Sequence, residues 1–257
     1  MADSAWFLGA QTIALQSFTV SGNAASVAAG TYYIDHTSSA LSLVRQVDQA
    51  IEAAVGGVSA TVEFTRSRRI RIVLDVAQSI TWGTATILRD LLGFTGNLGA
   101  GTTHLAPNVS PLLWSPGYLA TPKTIAGVEG YSVDHKSRYK SDDGSRSETE
   151  FYGEETWQEL SWTHIVPERL RILGTTAAQG GTFHQFYEQC AKLGYPFHHA
   201  ESIDELDSDT STGVALATTL GPYKLRGDTG DWYRRNQPNA ELSSPLELEL
   251  QIVDEVA

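Results

Sequence analysis

Residues Leu41–Asp75, LSLVRQVDQAIEAAVGGVSATVEFTRSRRIRIVLD, change their hydrophobic period once, and that change decides the fold. Leu41, Val44, Val47, Ile51 and Val55 recur at spacings of 3, 3, 4 and 4, the period of one helix face. Ser38 or Ser39 can cap the start of this helix, and Gly56-Gly57 stops it where a left-handed residue costs little. Beyond the glycines the period drops to two. Val62 and Phe64 share one side of the first run, and Ile70, Ile72 and Leu74 share one side of the second. The Ser67-Arg68 link makes these runs a hairpin, so helix and antiparallel strands follow one another in an α+β unit. Upstream, turn signals at Ser21-Gly22-Asn23 and Ala29-Gly30 bracket short apolar segments, and Trp6 to Val20 contributes one or two strands.

Downstream, Ile80 to Trp82 adds a short strand and Ala85 to Leu92 a short helix ending at Gly93. The stretch Trp82–Gly117, WGTATILRDLLGFTGNLGAGTTHLAPNVSPLLWSPG, joins this helix to a long Gly/Thr/Asn/Pro-rich loop with no obvious strand or helix period. It nevertheless carries Leu98, Leu105, Leu112, Leu113 and Trp114. Such a loop is either folded over its own core or docked on another subunit.

From Val128 to Glu155 the chain is polar, with Tyr131, Val133 and Tyr139 before Ser141-Asp142-Asp143-Gly144-Ser145 and Phe151 and Tyr152 after it. A disordered loop is one reading; the favoured one is a long hairpin arm, residues 128–155. Trp157 to Ile165 and Arg169 to Leu173 read as strands. Thr182-Phe183-His184-Gln185 has the spacing of a capping box and starts a helix, residues 182–193, with Phe183, Phe186, Tyr187, Cys190 and Leu193 on one face and Gly194 and Pro196 as its stop. Tyr223 to Leu225 is strand-like, and Leu246, Leu248, Leu250 and Ile252 alternate with Glu247, Glu249, Gln251 and Val253 in a half-buried strand. The expected architecture is β-rich α+β: an antiparallel sandwich or split-barrel-like sheets, two or three short helices and the hairpin arm. Two parts are expected, 1–122 and 123–257.

Composition narrows the function. The 257 residues carry a net charge of -12, which disfavours nucleic acid and anionic lipid as general partners. Arg66, Arg68, Arg69 and Arg71 form a local exception, read as a solvated turn or an interface ion-pair strip. No secretory leader is recognised, and no apolar run approaches the roughly 20 residues of a membrane span, so a soluble chain is expected. Cys190 is the only cysteine, which leaves no intrachain disulfide, and its place on an apolar helix face favours burial over nucleophilic duty.

No catalytic motif stands out. The seven histidines form no HExxH, HxH or HxxxH, and convergence of His184, His198 and His199 with Asp204 or Glu205 on zinc is the weaker reading beside ordinary polar histidines. Glu201–Gly213 resembles a calcium loop only until Thr212 and Thr218 fall where the turn glycine and bidentate Glu belong, which leaves a solvated acidic loop. Adjacent Glu154 and Glu155 lack the separation that glycosidase carboxylates need. Neither an enzyme nor a cofactor is expected.

Two groups of residues bear on the class of protein. Ile80-Thr81-Trp82, Leu88 through Leu98 and Ser110 through Gly117 resemble segments of structural proteins of tailed bacteriophages. The carboxy-terminal plan, a helix with Phe186, then Gly194-Tyr195-Pro196-Phe197, an acidic loop, Tyr223 to Leu225 and a terminal amphipathic strand, is similar to distal-tail and baseplate proteins. This resemblance implies a virion subunit repeated in a ring around the tail axis, contacting copies of itself and other tail proteins and assembled in the host cytoplasm. It implies no catalytic or ligand residue. The candidate interface residues are Leu112, Leu113, Trp114, Tyr139, Phe151 and Trp232. Alternatives are a head-tail connector, tail terminator or fibre-attachment protein, and a carbohydrate-binding or glycan-degrading protein with Trp114 and Trp232 as stacking platforms.

Overall fold

The computed structural model describes residues 6–65, 67–115, 131–140, 147–165, 182–204, 215–225 and 244–253. The expected strand at 169–173, the turn at 141–145, Trp232 and most of the 201–213 loop lie outside them. Among the described residues, thirteen strands form two antiparallel sheets: β1 (Trp6–Ile13), β2 (Gln16–Val20), β3 (Asn23–Val27), β4 (Gly30–Tyr33), β5 (Ala60–Phe64), β6 (Arg69–Thr81), β7 (Leu98–Val109), β8 (Leu113–Trp114), β9 (Tyr131–Lys140), β10 (Ser147–Ile165), β11 (Phe197–Asp204), β12 (Ala215–Leu225) and β13 (Ser244–Ile252). The helices are α1 (Leu43–Ala54), α2 (Thr86–Leu91) and α3 (Phe183–Gln189). The fold is therefore α+β, β-rich and sandwich-like.

The smaller sheet runs β3-β2-β6-β5, with β7 also on β6. The 3.6-period segment is α1, which puts Leu43, Val44, Val47, Ala50 and Ile51 into the core. Its cap is Ser42 rather than Ser38 or Ser39: the Ser42 hydroxyl accepts from Arg45 N–H at 3.4 Å and donates to Asp35 at 2.8 Å. Gly57 ends the helix region at φ +85°. The predicted hairpin is β5–β6, with Val62 opposite Ile72 and Phe64 opposite Ile70.

Two expectations change here. Ile80 is no separate short strand but the far end of the 13-residue β6. Most of the expected long loop is β7, which pairs with β6 from Arg69↔Val109 to Ile80↔Leu98. Only Ala106 of β7 is fully buried, so the strand shows no alternation in its sequence, and Pro107 is tolerated because β7 has β6 on one side only among the described residues.

The larger sheet runs β4-β1-β11-β12-β13-β10-β9, with β8 also on β1. Strand β1 is its pivot: Trp6 to Gly9 pair with β11 and Ala10 to Ile13 with β4. Strands from before residue 122 thus share a sheet with strands from after it, and one continuous hydrophobic cluster links Trp6, Ile51, Trp82, Phe186 and Leu250. The expected parts 1–122 and 123–257 are joined rather than built on separate cores. The acidic-loop reading also changes at its start, since His198, His199 and residues up to Asp204 belong to β11. Phe197 to Ala200 are buried at every position between β1 and β12, which erases the period-two signal.

Helix α3 carries the predicted capping box: Thr182 accepts from Gln185 N–H at 3.3 Å and Gln185 accepts from Thr182 N–H at 3.4 Å. The helix lies close on β1, where a Cβ on Gly9 would come within 2.9 Å of Cys190 Sγ and 3.0 Å of the Phe186 ring.

Candidate functional site

The residues expected at an interface divide sharply. Leu112, Leu113 and Trp114 are each 0% exposed within the single chain. Gly9 N–H donates to the Leu112 carbonyl at 2.8 Å, and Trp114 and Leu113 pair with Phe7 and Leu8. Ser110 ties the approach to α2, donating to the Leu91 carbonyl at 2.7 Å. The Trp114 ring lies 4.9 Å from both Phe7 and Phe183. Of the alternatives open to this apolar segment, these three residues take their own core, so none presents surface to a neighbour or to a sugar. The interface and stacking-platform expectations for Trp114, Leu112 and Leu113 are corrected accordingly.

Tyr139 and Phe151 take positions on two paired strands that overlap the predicted arm, though the separate strand expected from Trp157 to Ile165 is the continuation of β10. β9 and β10 pair antiparallel from Tyr131↔Trp157 to Lys140↔Ser147, with a bulge between Phe151 and Gly153. β13 joins β10 only from Trp157 onward. Among the described residues, Ser147 to Thr156 therefore have β9 as their sole ladder partner. The outcome is a two-stranded ribbon about 30 Å long continuing past the rest of the sheet. Trp232 lies outside the described residues.

Two of the four clustered arginines, Arg68 and Arg71, are buried rather than solvated, Arg69 is half-buried, and Arg66 lies outside the described residues. Arg71 is 4% exposed and stands directly opposite Glu63, to whose Oε1 it donates through Nε at 2.8 Å and through Nη2. Arg68 is buried at φ +64° in the β5–β6 turn. Strand β7 pairs with β6 and sets Leu105 opposite Arg71, an arrangement that charge alone could not reveal. Glu63→Ala is expected to cost about 3 kcal/mol by leaving a buried guanidinium uncompensated, and Arg71→Met clearly less, because Glu63 retains access to water. Urea unfolding of the two variants measures the difference, and equal losses would refute the asymmetry.

The histidines are dispersed in role. His199 stacks on Phe7 at 4.7 Å, and burial pushes it down to about 4. His198 packs on Tyr33 at 4.6 Å and on His36 at 5.1 Å. His104 Nε2 meets the Gln78 carbonyl at 3.1 Å. Among the described residues no three His, Cys, Asp or Glu side chains converge as a metal site. The Cys190 thiol is buried against the Tyr195 and Pro196 carbonyls, both at 3.6 Å, and burial pushes it up to about 12, which suppresses the thiolate a nucleophile needs. A surface depression of ≈ 450 Å³ is lined by Ser17, Phe18, Thr19, Thr81, Gly83 and Thr84, and includes no titratable side chain. No described helix is long and apolar enough to cross a membrane.

Two acids, Asp35 and Asp48, are displaced by burial in the direction opposite to His199, Asp48 the farther. Burial, the larger cause, raises Asp48 on α1 to about 7 against a backbone hydrogen bond from Val62. Its folded pKa lies above its ordinary value, so its contribution to stability is complete below about pH 4 and is lost as pH rises through 7. His199 has a folded pKa below its ordinary 6.5, so its contribution is complete above 6.5 and is lost as pH falls through 4. The slopes oppose one another between pH 4 and 6.5. Asp48→Asn, which keeps an acceptor for Val62, is expected to gain about 2 kcal/mol at pH 8 and little at pH 4 after allowance for solvent screening. His199→Phe should show the reverse residue, stability falling steadily from pH 4 to 7. Urea midpoints across that range test both; profiles parallel to the wild type would reject the assignments.

The fold and these geometries define a β-rich α+β protein with a two-stranded ribbon and, among its described residues, no cluster of metal-ligating side chains. No protein-family model, curated protein or solved structure matches the chain.

Proposed function

We propose that this chain is a structural subunit of a tailed-phage virion, a ring-forming distal-tail or baseplate protein, and that it acts by assembly rather than catalysis. The observation that carries this reading is the β9–β10 ribbon. A two-stranded ribbon is marginally stable by itself in water, so nine pairs continuing past β13, interrupted by one bulge, call for a surface to lie on. The sequence resemblance to tail proteins supplies the class of assembly. With Leu112, Leu113 and Trp114 consumed internally, the ribbon, and not the apolar segment before it, is the element that reaches a neighbour. A head-to-tail contact repeated by rotation closes into a ring.

Mass photometry and negative-stain imaging of the purified full chain test this. Concentration-dependent, closed oligomers are expected. Replacing Ser132–Thr156 by an Asn-Gly turn should leave a folded monomer. A wild type that stays monomeric at micromolar concentration would remove the proposal.

A further inference from the structure

The ribbon's register separates its charges. Lys136, Arg138 and Lys140 occupy alternate positions of β9 and so share one face, together with Phe151 across from Lys136 and Thr149 across from Arg138. Glu148, Glu150 and Glu155 stand across from Tyr139, Ser137 and Val133, which places all three on the other face. Opposite charges directly across a ladder would neutralise one another at close range. Here none of the three basic positions has an acid directly opposite it, and none of the three glutamates has a base. Glu154 stands across from Asp134, like charge against like, on the same face as Lys136 but farther from the turn. From residue 136 to residue 140 the ladder thus leaves a basic strip with Phe151 on one face, and on the other face it leaves an acidic strip with Tyr139.

We infer that the basic ribbon face of one copy of this chain docks on the acidic ribbon face of the next. This inference rests on the assembly reading above and specifies its contact: Lys136, Arg138 and Lys140 of one copy meet Glu148, Glu150 and Glu155 of another, with Phe151 and Tyr139 at the aromatic positions between them. A second copy is the occupant because it supplies the complementary acidic face by construction. An acidic chain of net charge -12 that repels nucleic acid still accommodates a basic strip when that strip is covered by its own glutamates. Since the two faces differ, the contact is heterologous, the kind that propagates around a ring.

Two charge-inverted full-length variants test the inference: Lys136→Glu/Arg138→Glu/Lys140→Glu, and Glu148→Lys/Glu150→Lys/Glu155→Lys. Each alone gives both faces of the ribbon near the turn the same sign and is expected to associate about a hundredfold more weakly than wild type. Mixed in equal amounts they regain association, because each supplies the face the other lacks, and this recovery separates charge matching from misfolding. Wild-type association should also weaken as NaCl is raised, since the interacting charges are screened. If wild type associates, but either variant does so equally well, the mixture shows no recovery or salt has no effect, this contact is overturned while the assembly reading stands. If wild type does not associate at all, the assembly reading falls and this contact falls with it.

Discussion

Phe7→Ala is expected to destabilise the protein by about 4 kcal/mol, most of the stability of a domain at the lower end of the ordinary range. Phe7 is fully buried on the pivot strand β1, and its ring lies 4.9 Å from Trp114, 5.8 Å from Phe197, 6.0 Å from Phe186 and 4.7 Å from His199. These partners come from β8, β11 and α3, so the ring is where distant parts of the chain meet. Truncation removes transfer free energy and leaves a cavity that three rigid neighbours cannot close. Phe7→Leu, which fills much of that volume, should cost about 1.5 kcal/mol or less. Denaturant titration with tryptophan fluorescence measures both, and a Phe7→Ala loss no larger than that of Phe7→Leu would show that the cluster is not the keystone argued here.

The second large effect concerns a single added methyl. Gly93 has φ +80°, and a Cβ there would lie on the Asn108 carbonyl oxygen, a backbone atom that cannot rotate away. Gly93 also accepts from Asn108 N–H at 3.1 Å, so the end of α2 is fastened to β7 at this point. Gly93→Ala therefore combines left-handed strain with a backbone collision and is expected to cost about 3 kcal/mol or more. Gly57 has nearly the same φ, +85°, but nothing within 4 Å of its Cβ position. Gly57→Ala should lose only about 1 kcal/mol, the conformational part alone. Thermal melts of the pair isolate the steric contribution; matching losses would show that strain, not contact with β7, governs Gly93.

How legible the chain is depends on how each element is buried. α1, the β5–β6 hairpin, the α3 capping box and the turn-side part of the β9–β10 pair could all be read in advance. Each has one wet face and one dry face, or a turn whose chemistry is local, as at Thr182 and Gln185. β7 and β11 were hidden for opposite reasons. β7 is open on nearly every position and β11 starts buried on every position, so neither alternates. The same blindness governed the candidate site. Leu112 to Trp114 advertised apolar surface without saying whose core it joins, and Arg71 advertised charge without saying that Glu63 on β5 and Leu105 on β7 would flank it.

By itself the sequence determined the mixed α+β class, the amphipathic helix, the capped helix and a charged hairpin, because these follow from periods and contacts spanning a few residues. Only the tertiary structure decided that β1 unites strands from both ends of the chain, that Trp114 lies between Phe7 and Phe183, and that the ribbon continues past β13. Those features depend on pairing between segments far apart in the chain. The free energy of such pairing belongs to the surface each segment meets, which no local pattern records.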